Sequence, residues 1–158
     1  MAIYMKIDGI DGNVSAKGHE KWIEISSAQF GLGRSIPMAV GTVSNREASH
    51  PSFSEVTMTK AMDDASPYLF QEACTGTAKN VLVHVTKTGA NALDNIVEYT
   101  LEKSMLSSYS ISTDGDKPIE TISCSYTKIE MKYIQWSEDH TQSSQIPVSY
   151  DLGSAVKG

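Results

Sequence analysis

The chain has 158 residues, 40% of them hydrophobic and 20% charged, a balance that suits one globular domain spanning 1–158 and argues against both a disordered chain and an integral membrane protein. Thirteen basic residues against nineteen acidic ones give a formal charge of −6, and no stretch interleaves Lys and Arg with aromatics, so nucleic acid is not an expected partner. Lys6 and Asp8 interrupt the stretch where a secretory signal needs an unbroken apolar core, and no segment reaches membrane-spanning length, so no membrane insertion is expected.

Most of the sequence reads as strand. Ile3 to Ile7 alternates and runs into Asp8-Gly9-Ile10-Asp11-Gly12-Asn13, whose glycines and acidic residues suit a turn with positive φ. Trp22 to Phe30 forms a second strand, with Trp22, Glu24, Ser26, Ala28 and Phe30 on one face and Ile23, Ile25, Ser27 and Gln29 on the other. Neither face is cleanly apolar, so both are expected to touch protein. Gly31 to Pro51 has no usable periodicity and carries Gly31, Gly33, Pro37, Gly41 and Pro51; it reads as a long loop, and a loop of that length in a compact domain points to a contact surface.

Strand character returns from Phe53 to Lys60 through Val56 and Met58. One short helix follows, with Ser66 as N-cap, Pro67 at the first helical position, Leu69, Phe70, Ala73 and Cys74 as an apolar stripe against a sheet, and Gly76 at the C-terminal cap. Val81–Thr86, Ile96–Leu106, Tyr109–Ser112 and Ile119–Trp136 complete the strands, with turns at Thr88-Gly89 and Thr113-Asp114-Gly115-Asp116 and a polar loop over 139–145. Long strands, one short helix and no βαβ rhythm give a mainly β fold, an antiparallel barrel or sandwich.

The run from Pro118 to Trp136 changes phase. Ile122, Cys124 and Tyr126 are apolar at even positions, then Ile129, Met131 and Tyr133 take over at odd ones. Side chains alternate faces with period two, so one face stays buried only if a bulge or a corner intervenes, or if both faces meet protein. The expectation is that Ile122 and Cys124 bury against one environment and Ile129 and Met131 against another, a subunit contact.

Candidate chemistry is sparse. His19, His50, His84 and His140 are scattered without metal-ligand spacing, and His84, alternating with Val83 and Val85, reads as a sheet-surface residue. Asp11, Asn13 and Ser15 resemble the start of a calcium loop, but Ala16 stands where its glycine belongs and Trp22 where its bidentate Glu belongs. Ser125 and Lys128 match a Ser-x-x-Lys pattern, yet three residues apart on a strand they face opposite ways. Gly31-Leu32-Gly33 lacks the third glycine of a dinucleotide loop, Asn13-Val14-Ser15 is a glycosylation sequon without a secretory signal, and Glu138-Asp139-His140 cannot converge as a triad. No enzyme, cofactor or metal is expected. Cys74 and Cys124 read as two reduced, buried or half-buried small hydrophobes.

Met5-Lys6-Ile7-Asp8-Gly9-Ile10-Asp11-Gly12, Arg46-Glu47-Ala48-Ser49, Thr59-Lys60 with Asp63, Ser66-Pro67-Tyr68-Leu69-Phe70-Gln71 and Tyr126-Thr127-Lys128-Ile129-Glu130 follow one another around the single helix. In that order and spacing the chain resembles the haemolysin-coregulated protein (Hcp) family, the tube protein of the bacterial type VI secretion system. The resemblance implies an antiparallel β-barrel of two sheets with one flanking helix. It implies a homohexameric ring, rings stacked head to tail into a tube, and a lumen that carries small effectors.

It further implies a contractile sheath around the tube and a spike protein at its tip. The protein would reside in the bacterial cytoplasm before firing and then be secreted without a cleaved leader, in virulence or interbacterial competition. By the resemblance, Arg46, Glu47, Ser49 and His50 belong to an extended loop that reaches the neighbouring ring, while Ser27, Gln29 and Thr127 are candidates to line the lumen. No enzymatic extension is expected after the tube domain. A carbohydrate- or peptide-binding β-sandwich with exposed Trp22, Trp136 and Tyr150 is the alternative; it would be free to exist as a monomer, and solution mass separates the two.

Overall fold

The computed structural model describes residues 1–38, 40–41 and 50–158. Its elements are β1 (Ala2–Ile7), β2 (Ile23–Ile25), β3 (Ser27–Gln29), β4 (Leu32–Gly33), β5 (Ser52–Phe53), β6 (Val56–Ala61), α1 (Ser66–Thr75), β7 (Lys79–Thr88), β8 (Leu93–Ser112), β9 (Ile119–Ser125), β10 (Lys128–Trp136), β11 (Gln142–Asp151) and β12 (Val156–Lys157). All described pairings are antiparallel. The first sheet runs β12-β11-β10-β8-β7-β1-β2, and the second runs β3-β6-β9-β8. This is the expected two-sheet β architecture with one flanking helix.

Three corners join the sheets. The segment expected as one strand from Trp22 to Phe30 breaks at Ser26, so that β2 pairs with β1 while β3 pairs with β6. The 20-residue β8 serves both sheets and turns at Lys103, a non-glycine residue at φ 50° whose N–H donates to Asn80 Oδ1 at 3.4 Å. The third corner lies at Tyr126–Thr127, between β9 in the second sheet and β10 in the first. Strands that switch sheets at bulges and bends are how orthogonal two-sheet packings close.

The third corner explains the change of phase, and it corrects the expectation of two separate environments. Ile122, Cys124 and Ile129 belong to one core cluster with Met5, Ile23, Met58 and Leu101, so the handover keeps β9 and the start of β10 facing the same interior. Only Met131 departs, at 43% exposed.

The helix begins one residue earlier than its sequence suggests. Ala65 occupies the N-cap position, and Ser66 is turned inward: its Oγ accepts the Asp63 N–H at 3.0 Å, and Asp63 Oδ1 accepts the Ala65 N–H at 3.0 Å. Gly76 closes the helix at φ 65°, where a Cβ would be strained. Of the expected stripe only Leu69 is fully buried; Phe70 and Cys74 are exposed, because α1 rests on the rim of the barrel against β8 instead of across a sheet.

Two further expectations change. The polar loop expected over 139–145 ends at Thr141, and β11 then pairs with β10 from Gln142 onward. Within the long loop expected from Gly31 to Pro51, Leu32 pairs with Phe53 and Gly33 with Ser52, giving the segment a two-stranded base.

Candidate functional site

The register turns sequence into rows. On the inner face of the first sheet one row runs Ile23–Met5–Val83–Tyr99–Met131–Val148, and the next runs Ile25–Ile3–Val85–Val97–Tyr133–Ile146. Both start under the second sheet, where Ile23, Met5 and Val83 are buried, and end in the open, where Met131, Tyr133, Ile146 and Val148 are 43%, 45%, 54% and 48% exposed. The second sheet is only four strands wide, so the β10–β11 end of the face has no roof from this chain's second sheet. These four side chains form a contiguous apolar patch, and completing their burial would be worth roughly 1 kcal/mol each.

An open apolar groove of about 420 Å³ adjoins the patch, lined by Leu32 and Phe53 from the β4–β5 base and by Ile129, Met131 and Val148 from the sheet. Edge-to-face contact of Phe30 with Tyr99, centroids 5.3 Å apart, and stacking of Phe53 near Tyr150 at 5.1 Å fix its walls. Beyond it, β12 pairs only with Tyr150 and Asp151 of β11, so among the described residues no strand covers 142–148 on the side away from β10. Pro147, which has no N–H to offer a ladder, sits on this edge strand.

The outer face of the second sheet has a different chemistry. Its rows are Gln29–Thr57–Ser123–Ser108 and Ser27–Thr59–Thr121–Ser110, eight uncharged hydroxyl or amide side chains side by side. Thr57 Oγ1 and Ser123 Oγ lie 3.3 Å apart, and Ser110 Oγ donates to the Thr121 carbonyl at 3.5 Å. Glu55 stands at the rim, accepting the Ser107 hydroxyl at 2.8 Å.

Of the expected lumen residues, Ser27 and Gln29 therefore share one polar face. Thr127 is not on it: it stands at the third corner, where its N–H and Oγ1–H both donate to the Glu102 carbonyl at 3.1 and 3.2 Å. His50 is exposed just before β5, whereas Arg46, Glu47 and Ser49 lie outside the described residues.

Two polar clusters were not foreseen as clusters, although Lys60 and Asp63 stand among the motifs that carry the resemblance. Inside the barrel, Lys60 on β6 pairs across the ladder with Glu120 on β9, both fully buried, and Lys60 Nζ also donates to Asp63 Oδ1 and the Ala61 carbonyl, each at 2.9 Å. On the outer face of the first sheet, His84 touches His19, 65 residues away, at 3.1 Å. His84 thus lies on the sheet's outer face, as its alternation with Val83 and Val85 suggests, but half-buried beneath His19. Its row is Glu24–Tyr4–His84–Glu98–Lys132, and Glu98 accepts from Lys132 at 2.8 Å and from Asn95 at 2.9 Å.

Burial pushes the His84 imidazole down to about 4 and lowers that of His19 as well. Burial works to raise the Glu98 carboxyl, but hydrogen bonds from Lys132 and Asn95 outweigh it and hold it below the ordinary range. Among the described residues no group of three His, Cys, Asp or Glu side chains is placed to hold a metal ion, and no helix is long and apolar enough to cross a membrane.

The fold and these faces define a two-sheet β-barrel with a flanking helix, a buried ionic hub and an unroofed apolar end. Residues 4–133 match the family model described as "Type VI secretion system effector, Hcp". The chain belongs to the Hcp family, and is thereby a tube or effector component of a type VI secretion system, in a family of secreted structural proteins. A solved structure described as a type six secretion system protein is 25% identical, with a TM-score of 0.91 and 99% of each chain covered. Hcp1 from Salmonella typhimurium is 24% identical at a TM-score of 0.79, covering 99% of this chain and 97% of that one. A type VI secretion system effector from Yersinia pestis is 20% identical at 0.75, covering 94% and 98%. Among curated protein sequences no match is found.

Proposed function

We propose that residues 1–158 act as one tube-forming domain, six copies closing into a ring and rings stacking into the inner tube of the secretion machine. The observation that carries this reading is the unroofed end of the first sheet's inner face, Met131, Tyr133, Ile146 and Val148, beside an uncovered β11 edge. A ring contact is heterologous, so it needs a second, different surface, and the chain has one around α1, where Met62, Tyr68, Phe70 and Ile111 are exposed.

The hydroxyl and amide face of the second sheet, with Ser27 and Gln29, suits a lumen: its two central rows are wettable and uncharged. Small effectors pass or ride along it, the sheath surrounds the tube, and the spike caps it. The loop carrying Arg46, Glu47, Ser49 and His50 makes the contact with the next ring. Light scattering at micromolar concentration tests the reading, with six times the chain mass expected; a monomer would favour a binding module instead.

A further inference from the structure

The segment between β1 and β2 folds back over the outer face of the first sheet. Its backbone hydrogen bonds close on the segment and its end, Gly12 N–H to the Lys21 carbonyl at 2.8 Å, Lys21 N–H to Val14 at 2.8 Å and Val14 N–H to Trp22 at 3.2 Å. These hold its shape, and His19 holds its place. The His19 ring is 3% exposed, with the rings of Tyr4, Trp22 and His84 at 5.0, 4.8 and 5.3 Å.

The hydrogen bonds determine where the protons are. Asn95 presents Nδ2 to Glu98 Oε1 at 2.9 Å, and the same nitrogen lies 3.3 Å from His84 Nδ1, so His84 Nδ1 is an acceptor. His19 Nε2 is then the donor across the 3.1 Å contact, and His19 Nδ1 carries no proton; it is buried with no partner. A proton added to His84 would set an N–H against the Asn95 donor and force His19 into its other tautomer, with a buried Nδ1–H that has no partner. A proton added to His19 would leave a buried donor with nothing to receive it. Charging either ring is therefore disfavoured while the segment is down.

We propose that residues 14–21 are an acid-released latch, pinned on the sheet by the neutral His19–His84 pair and released as protons are taken up by either ring, uncovering the Tyr4 and Trp22 rings. The other charged or titratable groups around the pair are Lys17, Glu20 and Lys21 on the segment, Tyr4 on β1, Glu24 on β2, Glu98 on β8 and Lys132 on β10. Glu20 and Glu98 favour the charged imidazoles, but Glu98 is already matched by Lys132 and Glu20 by the Gly18 N–H. Burial dominates for both rings.

The closed latch binds fewer protons than the open one, so it is held most firmly above the ordinary histidine value and weakens as pH falls below it. Between pH 7 and pH 5 the opening constant should rise roughly 20-fold for one histidine and roughly 400-fold if both contribute. Hydrogen exchange by mass spectrometry on the full chain, corrected for the intrinsic pH dependence, reads this directly. The bonds of Val14, His19, Lys21 and Trp22 close within residues 14–22, and without its pinned ring the segment unfolds as it lifts, so these amides should lose protection by at least roughly 20-fold at pH 5 while those of β1 and β7 keep theirs. His19→Phe, which keeps an aromatic ring in the slot, and His84→Gln, which keeps an acceptor for His19, should blunt the response. Equal corrected protection at the two pH values in the unmodified chain, or loss across the whole sheet at once, overturns the proposal whether or not the variants fold; so does an undiminished response in a folded His19→Phe protein.

Discussion

Lys60 Nζ stands 3.4 Å from Glu120 Oε2 with both side chains fully buried, and 2.9 Å from Asp63 Oδ1, so one ammonium ties β6, β9 and the start of α1 together. The Glu120 carboxylate also interacts with the Tyr109 hydroxyl, whose ionisation it disfavours, while its Oε1 makes no hydrogen bond of ordinary length. Removing Lys60 alone leaves a buried carboxylate unpaired. Lys60→Met should therefore lower stability by roughly 3 to 5 kcal/mol, and adding Glu120→Leu should recover part of the loss. Urea unfolding of the two variants checks it, and a double mutant no more stable than the single one would count against this account.

The proposed ring contact is tested on the unroofed patch. Ile146 and Val148 are about half exposed, so Ile146→Lys with Val148→Glu should leave the melting temperature of the chain within a few degrees while converting hexamers to monomers in light scattering. Hexamers that persist would move the interface elsewhere.

The proposed stacking of rings should be separable from ring closure. On the proposed reading, in which the loop carrying Glu47 reaches the next ring, charge reversal by Glu47→Lys should leave ring mass unchanged and shorten or abolish tubes on electron micrographs. Tubes of unaltered length would remove Glu47 from that contact.

Stability should depend on pH through the histidine pair. Burial holds His84 down at about 4 against an ordinary value of 6.5, and His19 is lowered too, so the unfolded chain takes up protons first as pH falls. The contribution is complete above about 6.5 and is lost as pH drops toward about 4. For His84, after allowance for its partial exposure, this is up to roughly 2 kcal/mol. Urea titrations at pH 7 and 4.5 should differ more for the unmodified chain than for His84→Gln.

The two thiols should behave oppositely. Cys74 is exposed near the end of α1, whereas Cys124 is fully buried and burial pushes its thiol up to about 12. A thiol reagent at pH 8 should modify Cys74 alone in the folded protein and reach Cys124 only on unfolding. Equal labelling of both in the native state would contradict the placement of Cys124 in the core.

Local chemistry was legible where it acts over a few residues. Alternation marked nearly all the long strands, Pro67 and Gly76 bracketed the helix, and the handover after Tyr126 pointed to a corner. The tail was misread because Gln142 to Gln145 is polar on an exposed edge strand, where no alternation is demanded. Cys74 and Phe70 were misread because helical spacing says which residues share a face, not whether that face meets a neighbour.

By itself, the sequence determined the β class, the single helix, the turn positions and the family to which the chain is similar, since each depends on short-range periodicity or on ordered motifs. The tertiary structure alone decided that Ile122 and Ile129 share a core while Met131, two residues further on, is exposed. It also brought His19 to His84 and Lys60 to Glu120 across 65 and 60 residues. Period two states that one face is apolar, but what covers that face is set by how wide the opposing sheet is, and that width is a sum of long-range pairings that no local window contains.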